Sequence, residues 1–418
     1  MKYSVITFGC RVNQADSFQI EEELMAAGGT ATATNSADLV VINTCSVTGA
    51  ADQGARQVVR KIARENPAAR IVVTGCYATR QPADLADLPG VVRIVPNDRK
   101  EQLAQEIGLT TATRFGSGDG ACGAEIAPGV AGRTAYTLRV QTGCDQTCSY
   151  CIIPSTRGSG RSKPVREVLG EIDRVRDAGY REIALTGVHL GSYGRDLDAG
   201  SSLIGLLVAI ERHSQGLRFR ISSLEPMDCS DEVVDLVARA PCFAPHFHLP
   251  LQHASDPMLV AMRRPYTLAY YRRLVDRIRD EMPHASIGSD VIVGFPGETE
   301  TDFAALEGYL ARSPLTHVHV FPYSDRPGTV AAALPGKVHG ALVRDRAGAL
   351  RAVGRELHRN FRRAQDRTVR PGLTIDDGST VVTDNYLKVR IAPGLRPNEW
   401  VKVELALSGD DFNGSVRT

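Results

Sequence analysis

Three short apolar runs open the chain, and each ends in a cysteine. YSVITFGC closes on Cys10, ADLVVINTC on Cys45 and ARIVVTGC on Cys76. Short β-branched runs of this kind read as strands of a parallel sheet buried on both faces. A helical pattern follows each one, over roughly 14–27, 50–65 and 81–88. The cysteines stand 35 and 31 residues apart, the length of one strand–helix repeat. Residues 108–132 are rich in Gly, Ala and Thr and read as a linker. Cys122 falls there and is assigned no role. From residue 134 a longer alternation begins. Apolar strands are expected near 136–141, 182–187, 217–222, 246–251, 286–293 and 316–321. Amphipathic helices are expected at 164–178, 201–213, 230–239, 267–281 and 300–311. Six such units predict an incomplete parallel barrel, since a full one has eight. After an arginine-rich helix over 341–367, short alternating runs (STVVT, YLKVRIA, WVKVELAL, NGSVR) separated by turn residues predict a small β domain.

The expected class is therefore α/β. It comprises an N-terminal open parallel α/β sheet over 1–107, the linker, a partial (β/α)6 barrel over 133–366 and a small C-terminal β-barrel over 367–418. Net charge is +1, so a nucleic-acid surface has to be a local patch. No apolar run reaches the roughly 18 residues of a membrane span. The N-terminus, MKYSVITFGC, lacks a secretory leader's apolar core and cleavage site. A cytoplasmic location is expected, and the nine cysteines then read better as metal ligands than as disulfides.

The stretch TGCDQTCSYC places Cys144, Cys148 and Cys151 in a C-x3-C-x2-C spacing, with Tyr150 before the last. Three soft thiolates this close can hold three corners of a 4Fe-4S cube and leave one iron open. A structural zinc site would take four ligands in two short pairs, and the second pair is missing. Cys10, Cys45 and Cys76 form a second candidate triad. Each alone reads as a small buried hydrophobe. Their recurrence at three strand ends argues against coincidence, because the carboxyl ends of such strands share one side.

The barrel cysteines follow the first barrel strand, on the face where barrel enzymes keep their active sites. GVHLGSYG, SSLEP, LPLQHAS, DVIVGFPGE and FPYSDRPGT fall on the same face. Glu225 and Asp290 are candidates there for an amino group or ribose hydroxyls, with capping or turn formation as the alternative. His246 and His248 read as a hydrogen-bonded barrel wall rather than as metal ligands. Arg344, Arg346, Arg351, Arg355, Arg359, Arg362, Arg363 and Arg367 make a basic stripe, either a solvated helix face or a partner for RNA phosphates. Trp400, the single tryptophan, reads as core.

The C-x3-C-x2-C spacing resembles the signature of radical S-adenosylmethionine (SAM) enzymes. Nearly the whole chain resembles the radical-SAM methylthiotransferases. FGCRVNQADS, NTCSVTGAAD, CSYCIIPSTRG, LTGVHLGSYG and HFHLPLQHASD look like the tRNA threonylcarbamoyladenosine branch. One departure is LQHAS, where the family more often has LQSGS. The resemblance implies an auxiliary 4Fe-4S cluster on Cys10, Cys45 and Cys76. It implies a radical-SAM 4Fe-4S cluster on Cys144, Cys148 and Cys151, and SAM contacts from Tyr150, Gly187, Glu225, Asp290 and Ile292. RNA contacts fall to Arg355, Arg359, Arg362 and Arg363, with a C-terminal domain like the RNA-binding TRAM module.

The implied activity is methylthiolation of carbon 2 of the modified adenosine beside the anticodon, consuming two SAM. The implied partners are a tRNA anticodon stem-loop, a reducing protein such as flavodoxin or ferredoxin, and a sulfur donor. The rival readings are the isopentenyladenosine substrate, a ribosomal-protein aspartate, and a non-catalytic iron–sulfur RNA-binding sensor.

Overall fold

The computed structural model describes residues 1–109, 128 and 134–417. Cys122 and most of the expected linker lie outside them. The N-terminal unit is a five-stranded parallel sheet. Its edge-to-edge order is Thr30–Ala31, Lys2–Thr7, Leu39–Thr44, Arg70–Gly75, Val91–Val95. The central strand Leu39–Thr44 is buried along its whole length. Val40 and Ile42 enter one core with Val59, Ile62 and Tyr77, while Leu39 and Val41 enter the other with Ile20, Leu24 and Leu103. That two-sided burial is why the strand shows no polar alternation. Helices run over Arg11–Ala26 and Gly49–Glu65. The third expected helix is instead two short pieces, Cys76–Arg80 and Ala83–Ala86, with Pro82 between them denying an interior hydrogen bond.

The second unit carries six parallel strands. Tyr136–Arg139, Glu182–Thr186 and Arg218–Ile221 form one ladder, and His246–His248, Ser286–Val293 and His317–Pro322 the other. A bridge from Phe219 to Phe243 links them. Alternate residues such as Ile183, Leu185, Phe219, Ile221, Phe247 and Ile287 join the covering helices in the main core. The opposite positions carry Glu182, Arg220, His246, His248 and Asp290, so the concave face is polar.

Both sheet edges are covered, which blocks edge pairing. Helix Arg11–Ala26 lies along Tyr136–Arg139, with Phe18 stacked on Tyr136 at 5.9 Å. Helix Gly340–Gln365 lies along His317–Pro322.

The C-terminal unit is a closed five-stranded barrel of Val369–Ile375, Thr380–Thr383, Lys388–Arg390, Asp411–Arg417 and Trp400–Ser408, in that order around the ring. The first of these strands contains Pro371 and Gly372, which hid it from a reading of alternating runs. Trp400 departs from expectation: it is half-buried and lies 4.4 Å under the guanidinium of Arg218 in the larger barrel. It pins two units together rather than filling a core. Arg346 departs as well. It turns inward to Glu298 at 2.6 Å and Glu300 at 2.9 Å, which removes it from the exposed basic stripe.

Candidate active site

Three strand ends converge on one set of thiols. Cys10 caps helix Arg11–Ala26, Cys45 follows Leu39–Thr44, and Cys76 opens the short helix after Arg70–Gly75. The buried amide of Asn13 ties two of these ends, donating to the Phe8 carbonyl at 2.8 Å and the Thr44 carbonyl at 2.9 Å. Thr44 Oγ1 ties the third, donating to the Thr74 carbonyl at 2.6 Å. Close approach requires glycine at two places. Gly9 has φ +91°, and a Cβ there would stand 2.7 Å from Cys45 Sγ; Gly75 has φ +100°, and a Cβ would overlap the Thr44 carbonyl. Burial pushes the Cys45 thiol up to about 11, with the neighbouring Cys10 and Cys76 thiols adding to the rise. A buried thiol of that kind ionises when a cation takes it. Soft donors on three sides, with no fourth cysteine at the site among the described residues, suit an iron–sulfur cube with one open iron.

The second triad lies in the loop after Gln141–Thr142. Gly143, at φ +73°, packs so tightly on the Ser159 carbonyl that a Cβ would overlap it. Backbone amides of Gln146 and Ile153 point at Cys144 Sγ (3.4 Å) and Cys151 Sγ (3.5 Å). Burial pushes the Cys151 thiol up to about 12 and raises that of Cys144. These donors fit a cube by the same reasoning. Tyr150 and Ile292, distant in sequence, share an apolar cluster with Met258, Met262 and Phe295. Glu225 accepts from Arg264 Nη2, and Arg264 Nη1 donates to Cys148 Sγ at 3.0 Å. Sequence reasoning missed Arg264: nothing in MRRPY reveals a guanidinium buried against a thiol. Gly187 makes room for Gln141, whose Oε1 would stand 3.0 Å from a Cβ there and accepts from the His189 amide at 2.9 Å.

Within the barrel, Asp290 Oδ1 lies 3.1 Å from His248 Nε2 and accepts from His319 Nδ1 at 3.0 Å. Burial alone would raise this carboxyl, but the two adjacent imidazoles outweigh it and hold it at about 2. Ser223 Oγ meets the other nitrogen of His248 at 2.7 Å. Asp290 thus orients two rings rather than standing open. His253, the departure in LQHAS, is fully buried, with Nε2 3.6 Å from Glu298. Glu298 accepts from the Gly294 amide at 2.7 Å and supports the GFPGE turn.

The two triads meet across a shared interface. Asn97 Nδ2 lies 3.6 Å from Cys76 Sγ and donates to the Thr156 carbonyl at 2.9 Å, just beyond the second triad. Buried Asp16 takes Lys100 at 2.9 Å, Arg157 at 2.9 Å and Arg139. Arg326, beyond the last barrel strand, reaches Asp52 at 2.7 Å. A cleft of about 300 Å³ opens here, lined by Asp16, Lys100, Arg139 and Arg157 among others.

Of the basic stripe, Arg355, Arg359 and Arg363 are exposed on the long helix. Arg359 and Arg363 flank Glu356 at 2.7 and 3.6 Å. Arg362 instead lies 4.8 Å over the Phe412 ring, packed on the small barrel.

Comparisons with known proteins agree with this layout. Residues 138–310 match the radical SAM superfamily, and residues 2–96 match the uncharacterized protein family UPF0004. A radical SAM methyltransferase from Kitasatospora setae superposes with a TM-score of 0.56 over 79% of this chain and 76% of its own, at 16% identity, a likeness of fold. Fold and family match define a radical SAM enzyme with a cysteine-bearing α/β domain set against its barrel. The threonylcarbamoyladenosine tRNA methylthiotransferase of Bacillus subtilis is 34% identical over 97% of this chain and 94% of its own. A tRNA-2-methylthio-N(6)-dimethylallyladenosine synthase of Parafrankia is 35% identical over 87% and 76%. The chain belongs to the radical-SAM methylthiotransferase family, in its threonylcarbamoyladenosine tRNA branch.

Proposed function

We propose that this enzyme methylthiolates carbon 2 of N6-threonylcarbamoyladenosine beside the tRNA anticodon, with two 4Fe-4S clusters and SAM as cofactors. The observation that carries the reading is near full-length similarity to an enzyme named for that substrate, in a chain that also has two separate thiol triads. Cys144, Cys148 and Cys151 would hold the cluster that receives SAM, and Cys10, Cys45 and Cys76 the auxiliary one. When bound, these cofactors supply radical cleavage of an unactivated C–H bond and the sulfur that replaces the hydrogen, which side-chain acids and bases do not.

The chain's own residues bind, orient and exclude water. Arg264 holds a positive charge against Cys148 and is itself neutralised by Glu225. Tyr150 and Ile292 wall the SAM side with apolar surface, while Gly187 follows the strand Glu182–Thr186 and Asp290 lies within Ser286–Val293. The Asp16 network fixes the distance between the triads.

A single-stranded anticodon loop suits the polar concave face, since its bases can be splayed out. Exposed Arg355, Arg359 and Arg363, with Arg362 beside them, would meet phosphates. Residues 1–107, 133–366 and 367–418 act as auxiliary-cluster, radical-SAM and RNA-binding domains. A small reducing protein such as flavodoxin or ferredoxin and a sulfur donor complete the cycle in the cytoplasm. No helix among the described residues is long and apolar enough to cross a membrane.

The test uses reconstituted protein, SAM, a strong reductant and tRNA carrying threonylcarbamoyladenosine. Mass spectrometry should find the methylthio nucleoside. Unchanged tRNA with both clusters loaded would overturn the reading.

A further inference from the structure

The threonylcarbamoyl group differs from a dimethylallyl group by carrying a carboxylate, and it hangs on N6. In adenine, C6 and C2 flank the same ring nitrogen. When C2 faces the auxiliary cluster, the N6 substituent must lie beside that cluster too. The site therefore needs a cation next to one of Cys10, Cys45 and Cys76.

Arg11 is such a cation. It follows Cys10 directly, at the start of helix Arg11–Ala26. Other arginines near the site are neutralised: Arg220 by Glu182 at 2.8 Å, Arg157 by Asp16 and Arg264 by Glu225. Among the described residues, Arg11 has no carboxylate within ion-pair distance. Its Nη2 donates instead to the phenol oxygen of Tyr386 at 3.2 Å, and its guanidinium carbon lies 5.6 Å from that ring.

Tyr386 comes from the small C-terminal barrel, in the turn between Thr380–Thr383 and Lys388–Arg390. Its backbone is left-handed, at φ +70°, a costly conformation for an aromatic residue and a pointer to function. Its neighbours Asn385 and Leu387 are buried while Tyr386 is 49% exposed. Asn385 Nδ2 donates to the His284 carbonyl at 3.0 Å, so the turn is fastened while the half-exposed ring lies against the polar concave face, 5.0 Å from the Arg220 guanidinium. The ring also lies 5.0 Å from that of His246. His246 is nine-tenths buried, and its Nδ1 has no hydrogen-bond partner. Burial, with the charges of Arg220 and Arg11 nearby, keeps that imidazole neutral. A cation without a carboxylate partner, a half-exposed aromatic and an unsatisfied buried nitrogen, drawn from three parts of the chain, thus meet at the concave face of the barrel.

We propose that Arg11, positioned by Tyr386, binds the carboxylate of the substrate's threonylcarbamoyl group and so selects this nucleoside over uncharged N6-substituted adenosines. The inference rests on the substrate reading above. Arginine meets a carboxylate through two parallel N–H bonds, and a site built around such a bond rejects an analogue that lacks the charge.

The test compares two anticodon stem-loops with the full-length, cluster-loaded enzyme. One carries N6-threonylcarbamoyladenosine, and the other carries its methyl ester, which removes the charge and keeps the shape. The parent should favour the acid by about 10- to 100-fold in kcat/KM, the range of a charge-assisted hydrogen bond. Arg11→Gln should bring the acid down to the rate of the ester, while Arg11→Lys should keep part of the preference. Because the readout is a ratio within one preparation, partial loss of folded protein cancels; iron content checks cluster loading. Equal rates in the parent, or a parental ratio retained in Arg11→Gln, overturn the proposal and leave the substrate reading standing. Failure of the parent to modify either RNA overturns both.

Discussion

Replacing Asp16 with Asn should separate the two halves of the reaction. The Asp16 carboxylate is fully buried and faces three cations: Lys100 from its own domain, and Arg139 and Arg157 from the barrel. Burial lowers the Lys100 ammonium and would raise Asp16, but the three cations reverse the latter and hold the carboxyl well below its usual range. Removing one partner of a buried ion pair costs about 3–5 kcal/mol, because the charges left behind stay desolvated. At 1.36 kcal/mol per tenfold step, that loosens the domain junction by about a hundred- to several thousand-fold. Arg139 and Arg157 reach Asp16 from the barrel, so their share of the loss appears as opening between the domains. Hydrogen exchange should accelerate in Tyr136–Arg139 and Ile153–Arg157 while the central strand Leu39–Thr44 stays protected. Reconstituted Asp16→Asn should still cleave SAM and yield little methylthio product. Parental exchange together with parental coupling of cleavage to transfer would refute the assignment of Asp16 as the clasp.

The triads are separable in the same way. Cys45→Ala should retain SAM cleavage with about four of the roughly eight irons expected of two cubes and no sulfur insertion. Cys148→Ala should lose SAM cleavage outright, as read by 5′-deoxyadenosine formation. Gly75→Ala forces a Cβ into the Thr44 carbonyl at a left-handed φ and should cost about 1–3 kcal/mol or more, measured as a lower denaturation midpoint and poor loading of the auxiliary cluster. Asp290 has a folded value of about 2, below the 3.8 of a free carboxyl. Its ionised form therefore stabilises the fold above about pH 4, and the contribution fades as pH falls toward 2. Asp290→Asn in the cluster-free chain should be less stable than the parent at pH 6 by up to about 2 kcal/mol, with the gap falling to about half near pH 3 and closing toward pH 2. A gap that widens on acidification would contradict the His248–Asp290–His319 arrangement.

Local order was legible in the residues themselves. The run ADLVVINTC announced a strand buried on both faces because both alternating sets are apolar, and Leu39–Thr44 is that strand. The spacing of Cys144, Cys148 and Cys151, and the return of a cysteine after each early strand, marked two sets of thiols. Pro82 and Pro371 blurred element boundaries, since proline breaks the pattern without always ending the element.

What no linear pattern carried was which distant side chains meet. Asp16 finds Arg157 across 141 positions and Arg11 finds Tyr386 across 375. Arg346, one of a row of similar arginines, turns inward only because Glu298 and Glu300 wait there. A residue's neighbours along the chain set its backbone period and its likely face, and those are readable from sequence. Its partner across a domain junction is set by how whole surfaces close on one another, and that depends on every element at once. The six cysteines and the strand–helix order thus belonged to the sequence; the clasp at Asp16, the guanidinium against Cys148 and the open cation beside Cys10 belonged to the fold.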